Sequence, residues 1–218
     1  MEKPLVLPIP TVKRFPSYLR ILHQFHERGE EYISATILAD ELGLKPIQVR
    51  KDISYTGIEG KPKVGFEIKA LVKILNHVLG WDNTNEAIII GSGNLGSALA
   101  GYNGFRAYGL SMVGLFDNDI TKVGRKVGAL TIQSVEELPN FIREHRIVIA
   151  VIAVPANVAQ KVADDIVSLG IKAIWNFAPI DLKVPSSVAL QRTDLATALA
   201  VLSVKMQNKL ETAEDELN

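Results

Sequence analysis

The sequence predicts a mixed α/β chain of two parts, a helical amino-terminal part and a carboxyl-terminal part built on a parallel sheet. Three observations carry this. A helical pattern breaks at Gly80-Trp81-Asp82-Asn83-Thr84-Asn85; apolar runs at 87–90, 112–116, 147–154 and 172–177 then alternate with helical stretches; and a glycine-rich turn, Gly91-Ser92-Gly93-Asn94-Leu95-Gly96, separates the first run from the helix-compatible Ser97-Ala98-Leu99-Ala100. Short runs that are apolar at consecutive positions are buried on both faces, as in parallel strands covered by helices. The expected boundaries are 1–80, 86–193, and a final helix with its tail over 194–218.

In the first part the pattern predicts helices over Pro16–Arg28, Ser34–Leu42 and Pro46–Tyr55. Ser34 suits an N-cap, Gly43 a stop and Pro46 a first-turn proline. The link Gly43-Leu44-Lys45 gives the tight corner of a helix-turn-helix whose second helix would be the reader. Projected at 100° per residue, that helix puts Val49 and Ile53 on one side and Lys51, Ser54 and Tyr55 on the other, flanked by Gln48 and Arg50. From Lys45 to Lys63 there are five basic residues (Lys45, Arg50, Lys51, Lys61, Lys63) against Asp52 and Glu59, a local patch in a neutral chain. A plain three-helix bundle with a solvated charged face would look the same. Residues 57–68 then read as a short hairpin with Lys61 and Lys63 near its tip, the wing that a winged helix sets against phosphates or in the minor groove. The candidate DNA contacts are Ser34, Lys45, Gln48, Arg50, Lys51, Ser54, Tyr55, Lys61 and Lys63. A further helix with the stripe Leu71, Leu75 and Val78 would pack beneath the wing.

The second part begins with the strand, turn and helix of a Rossmann-like dinucleotide site, formed by Gly91, Ser92, Gly93, Asn94, Leu95 and Gly96. Its first glycine allows the tight turn, the second lets the backbone approach a pyrophosphate, and the third lets helix and strand pack closely. The pyrophosphate would rest on amides at a helix amino end. The next apolar run ends at Asp117, placed to accept hydrogen bonds from the adenosine ribose hydroxyls and so to favour NAD(H) over NADP(H). A turn that binds nothing, or a ligand such as coenzyme A in the same crevice, remains open on these residues alone. Ser134 and Glu137 have capping-box spacing at the start of a later helix.

Lys plus Arg equals Asp plus Glu at 24 each, so no global field draws the chain to nucleic acid or membrane. There is no cysteine among the 218 residues, which excludes disulfides, thiolate metal sites and redox-active thiols; redox state could be sensed only through a ligand. No metal site is expected. The absence of a long uncharged apolar stretch predicts a cytoplasmic protein. The last helix, opened by Asp194 as N-cap, carries Leu195, Leu199, Leu202 and Met206 at helical spacing. Nothing later in the chain covers that stripe, so a partner subunit or the first domain must.

Together, Pro-Ser-Tyr-Leu-Arg ending at Arg20, Gln48-Val49-Arg50-Lys51-Asp52-Ile53-Ser54-Tyr55, Gly91–Leu99, Ala153-Val154-Pro155-Ala156, Asn176-Phe177-Ala178-Pro179 and Asp194 resemble the Rex family of redox-sensing transcriptional repressors. The resemblance implies a homodimer, with the final helix exchanged between subunits, that binds an inverted-repeat DNA operator when free or holding NAD⁺ and releases it on binding NADH. It further implies that Val154, Pro155, Phe177 and Ala178 wall the nicotinamide. An apolar wall disfavours the cationic oxidised ring and favours the neutral reduced one. It also implies a switch of Arg20, Tyr102 and Asp194, in which Asp194 pairs with Arg20 in one state and Tyr102 in the other. The wing departs from the family pattern: Thr56 stands for Phe, Pro62 for Arg, Lys63 for Gly and Phe66 for Tyr.

Two other classes compete, a coenzyme A-responsive or other nucleotide-responsive regulator and an NAD-dependent dehydrogenase. The enzyme needs a proton-transfer group beside the nicotinamide. His23, His26 and His77 precede the nucleotide domain, His145 lies at a charged helix end, and no Tyr-x-x-x-Lys pair occurs. No catalytic residue is expected.

Overall fold

The computed structural model describes residues 7–215, and contacts divide the chain into two units between Thr84 and Asn85. In the first unit, α1 (Ile9–Glu27) is followed by β1 (Tyr32–Ile33), α2 (Ala35–Leu42), α3 (Pro46–Ser54), β2 (Phe66–Glu67) and α4 (Ile68–Leu79). α1 starts seven residues before the Pro16 expected from the sequence. Pro10 holds its first turn, and the buried stripe runs Thr11, Phe15, Tyr18, Leu22 straight through an exposed Pro16. The core joins Phe15, Tyr18 and Leu22 to Leu38, Val49, Ile53, Leu71 and Leu75, so α4 packs with the helix-turn-helix as its own stripe requires.

The short hairpin read from residues 57–68 pairs with itself only at its tip. Its tip is a tight turn closed by two reciprocal bonds between Lys61 and Gly65, at 2.8 and 2.9 Å, and the returning strand β2 pairs antiparallel with β1. A Cβ on Gly65 would lie 2.3 Å from the Ile33 carbonyl oxygen, so the two backbones meet where only glycine fits. Two-residue strands carry no alternation to read, which is why β1 escapes the sequence. Lys63 takes φ = 62°, the left-handed region, at the position where the family pattern has glycine.

Asp52, counted from the sequence as a surface charge, is fully buried. Arg14 grips it in two bonds, Nε to Oδ2 at 2.6 Å and Nη2 to Oδ1 at 2.7 Å. The Tyr18 hydroxyl (2.6 Å), the Thr11 hydroxyl (3.0 Å) and the Gln48 amide (2.9 Å) also donate to it. Burial pushes the Asp52 carboxyl up, but hydrogen bonds from Arg14, Tyr18, Thr11 and Gln48 outweigh it and hold it below its ordinary value. This cluster bolts α3 to α1.

The second unit is a seven-stranded sheet in the order β5-β6-β4-β3-β7-β8-β9. Its strands are β3 (Asn85–Ile90), β4 (Leu110–Asp117), β5 (Lys126–Val127), β6 (Leu130–Ser134), β7 (Ile149–Ile152), β8 (Ala173–Asn176) and β9 (Ala189–Arg192). All pairs are parallel except β5 with β6. Helices α5 (Asn94–Gly101), α6 (Leu138–His145) and α7 (Ala156–Ser168) connect strands, and α8 (Leu195–Asp215) ends the described chain. The two cores explain the apolar runs: Ile88, Ile90, Phe116, Ala150 and Ile152 pack on one face, and Ile89, Leu115 and Val151 on the other. β5, β6 and β9 were not foreseen; β9 is exposed at every residue and lies at the edge. Ser134 caps a short 3-10 turn, accepting from the Glu136 amide, and α6 starts only at Leu138, so the expected capping box does not form.

Arg14→Met should destabilise the chain by about 3 kcal/mol at neutral pH, because it leaves a buried carboxylate without its cation. The cost should shrink near pH 3, below the ordinary aspartate value of about 3.9, because the carboxyl is then largely protonated in the unfolded chain and in the variant that lacks the cation. Urea denaturation followed by circular dichroism at both pH values checks this; an equal cost at both would contradict it.

Candidate functional site

The carboxyl ends of β3, β4, β7 and β8 open on one edge of the sheet, and the strand order reverses direction at β3, the place where open α/β sheets bind ligands. The glycine turn leaves β3 there. Gly91 has φ = 102°, and a Cβ on it would lie 2.4 Å from the Ala153 carbonyl oxygen beyond β7. A Cβ on Gly96 would lie 1.8 Å from the Gly91 carbonyl oxygen, so α5 reaches the turn only because that residue is glycine. Around Gly93 there is open space, and no side chain caps α5. The turn thus exposes backbone on the side where a phosphate would lie.

A crevice of about 760 Å³ opens against this turn. Gly91, Gly93, Asp117, Val154 and Pro155 line it, with α6 residues Leu138 and Pro139 and the α7 residues Val158 and Val162. Ser92 and Gly96 are buried behind it, while Asn94 and Leu95 are exposed on the first turn of α5. Phe177 and Ala178 follow β8 but do not line the crevice. Phe177 packs against Trp175 with its ring tilted by 44° and the centroids 4.9 Å apart, and Ala178 is buried, its amide donating to the Asn176 side chain at 2.9 Å. Asn176 is a buried polar residue whose amide also donates to the Ala178 and Ile180 carbonyls; it shapes this strand-end turn, a role the sequence reading did not give it.

Asp117 is buried and holds the turn itself. Its Oδ2 accepts from the Ser92 amide (2.8 Å), the Ser92 hydroxyl (2.5 Å) and Lys122 (3.3 Å), and its Oδ1 from the Asp119 amide (2.9 Å). Burial raises this carboxyl, but the bonds from Ser92, Asp119 and Lys122 prevail and bring it down to about 2. Oδ1, with a single bond, retains acceptor capacity toward the crevice. Lys122, which also lines it, places a cation beside the acid that the sequence had isolated.

In the first unit, α3 exposes Ile47, Arg50, Lys51 and Ser54 at spacings of three, one and three, a single face opposite Val49, Asp52 and Ile53. Ile47 was missed because the projection followed polar residues. Gln48 turns its amide to Asp52, and the Ser54 hydroxyl donates to the Lys51 carbonyl at 2.8 Å. Lys45 is exposed at the N-cap of α3, and Tyr55 is half-buried at its C-cap. Ser34 caps α2, accepting from the Ile37 amide at 3.1 Å. In the wing, Lys61 lies over the Tyr32 ring, 4.6 Å from its centroid, and donates to its hydroxyl; Lys63 is exposed.

Of the three residues expected to form a switch, Arg20 is exposed on α1. Tyr102 is exposed at the end of α5 with its ring edge-on to Phe105 at 4.9 Å. Asp194 accepts from the Ala196 amide at 2.9 Å, capping α8, and from Arg192 at 2.7 Å; Arg192 also pairs with Asp181. No histidine lines the crevice, and the described residues contain no group of His, Cys, Asp or Glu able to hold a metal ion. No described helix is long and apolar enough to cross a membrane.

Because the folded Asp117 carboxyl titrates below the unfolded value of about 3.9, its stabilisation is complete above that value and is lost as pH falls through about 2. Asp117→Asn should therefore be less stable than wild type at neutral pH, and the gap should narrow as pH falls from 5 to about 3. Denaturant midpoints across that range test it; a gap independent of pH would show that Asp117 is not held as described.

A family model described as a CoA binding domain matches residues 82–180, and one described as a putative DNA-binding protein N-terminus matches residues 6–54. The redox-sensing transcriptional repressor Rex of Treponema denticola is 44% identical over 209 residues, 96% of this chain and 100% of its own. That of Thermosipho africanus is 40% identical over 211 residues, 97% of this chain and 100% of its own. Among solved structures, RSP in complex with β-NAD⁺ and operator DNA is similar with a TM-score of 0.88 and 34% identity, covering 96% of both chains. RSP in complex with β-NADH gives 0.85 and 33%, covering 96% of this chain and 98% of that one. With such identity over nearly its whole length, the chain belongs to the Rex family of redox-sensing transcriptional repressors.

Proposed function

We propose that this chain represses transcription according to the NADH/NAD⁺ ratio, occupying an inverted-repeat operator when free or holding NAD⁺ and leaving it when NADH binds. The observation that carries this is the end-to-end match to relatives named as redox-sensing repressors, in a chain that has both an exposed cationic reader helix and a glycine-turn crevice without a histidine. It acts in the cytoplasm as a regulator and not as an enzyme.

In this reading residues 1–80 bind DNA and 86–193 bind the dinucleotide. Residues 194–218 join two subunits: Leu195, Leu199, Leu202 and Met206 are each more than half exposed in the single chain, which suits burial against a partner. Arg50, Lys51 and Ser54 face the operator, and Lys45, Lys61 and Lys63 supply charge near phosphates, with Ser34, Gln48 and Tyr55 bordering that surface. The pyrophosphate lies against Gly91–Gly96, and the remaining acceptor capacity of Asp117 meets the ribose. Val154 and Pro155, which line the crevice, make the nicotinamide end apolar, while Phe177 and Ala178 lie outside that lining. To swing operator occupancy about a hundredfold, NADH must prefer the released state by about 2.7 kcal/mol, within reach of one or two charge-assisted contacts by Arg20, Tyr102 and Asp194.

Lys122 gives a second reading some support, since a cation beside Asp117 could receive the phosphate of coenzyme A or NADPH, and the family model over this domain is described by coenzyme A binding. Fluorescence polarisation on labelled inverted-repeat DNA, with NADH, NAD⁺, NADPH and coenzyme A in separate arms, decides between them. Release by NADH alone is expected; release by coenzyme A alone would replace the proposal. Lys51→Ala should weaken operator binding about tenfold with NADH affinity unchanged, read by polarisation and by NADH fluorescence. Asp194→Ala should keep NADH affinity within a few fold while blunting the release of DNA, and an undiminished release would remove Asp194 from the switch.

A further inference from the structure

The exposed face of α3 is not uniformly polar. Arg50, Lys51 and Ser54 occupy its middle and end, and its first turn carries Ile47, 67% exposed. A lone surface isoleucine is ordinary in itself. Three features set this one apart. It stands one helical turn before Arg50 and Lys51 on their own face, so a groove that takes those cations takes Ile47 as well. Pro46, beside it, has no amide hydrogen to offer a base edge. Gln48, whose amide would otherwise suit an adenine edge, has that amide bonded to the buried Asp52 at 2.9 Å. The amino-terminal turn of a reader helix is the part that meets base edges. Here that turn presents carbon.

We propose that Ile47 reads the C5-methyl group of a thymine in each operator half-site. In the major groove the thymine methyl is the apolar feature among the base edges, and side-chain carbon is what recognises it. The inference rests on the DNA-binding reading above and adds to it the base that the first turn selects. It assigns the cations Arg50 and Lys51 to affinity and the neighbouring isoleucine to sequence preference.

The test uses the full-length chain and the inverted-repeat duplex that it selects from a random pool. Each thymine, in both half-sites together, is replaced by deoxyuridine, which removes the methyl and keeps the pairing. At one symmetric pair the wild type should lose about tenfold, roughly one buried methyl per half-site. Ile47→Ala should bind the thymine duplex about tenfold more weakly and lose nothing further on the deoxyuridine duplex. Lys51→Ala should bind weakly overall yet keep the full deoxyuridine loss. Retained NADH binding and an unchanged circular dichroism spectrum confirm that the variants fold. A wild type indifferent to deoxyuridine at every thymine, or an Ile47→Ala variant that still loses tenfold, overturns the assignment and leaves the DNA-binding reading standing. Failure of the wild type to select any duplex overturns both.

Discussion

A carboxylate taken out of water must be met by donors or lose its charge, and that constraint organises both units of this chain. Asp52 and Asp117 are its buried acids among the described residues. Asp52 collects Arg14, Tyr18, Thr11 and Gln48 and thereby fixes α3 on α1. Asp117 collects the Ser92 amide and hydroxyl, the Asp119 amide and Lys122, and thereby fixes the glycine turn against the end of β4. Each acid stands directly behind a proposed binding surface. The surfaces themselves remain open to ligands because their geometry is held from beneath.

Much of the nucleotide unit was legible because its strands are buried on both faces: Ile88, Ile89 and Ile90 alternate between two cores, so the sequence shows an unbroken apolar run. The glycine turn was legible for a related reason, since at Gly91 and Gly96 a single added carbon would collide with backbone. β9 was not, because an edge strand exposed along its length has no apolar signature. The true environment of Asp52 was hidden too. Its partner Arg14 lies 38 residues away, and only the fold shows that the acid points inward and takes the Gln48 amide with it. The same holds for Lys122, whose nearness to Asp117 is a loop geometry that spacing does not encode.

The far end of the crevice edge has a different organisation, made of rings. Tyr102, Phe105, Trp175 and Phe177 form a row with successive centroids 4.9, 5.6 and 4.9 Å apart. From its centre the Trp175 ring nitrogen donates to the Thr193 hydroxyl at 2.7 Å, one residue before Asp194 begins α8. Aromatic packing thus joins the end of β8, the end of α5 and the root of the last helix. Rings packed edge to face resist sliding, since the contact is directional.

The 19-residue helix α1 carries Arg14 and Arg20 about 9 Å apart along its axis, with Pro16 between them. Arg14 is clamped to Asp52 of the reader helix, and Arg20 is the exposed cation assigned to the switch. In mechanical terms α1 is a lever fastened to α3 at Arg14, and Pro16, which has no amide hydrogen to give the helix, is its compliant point between that clamp and Arg20.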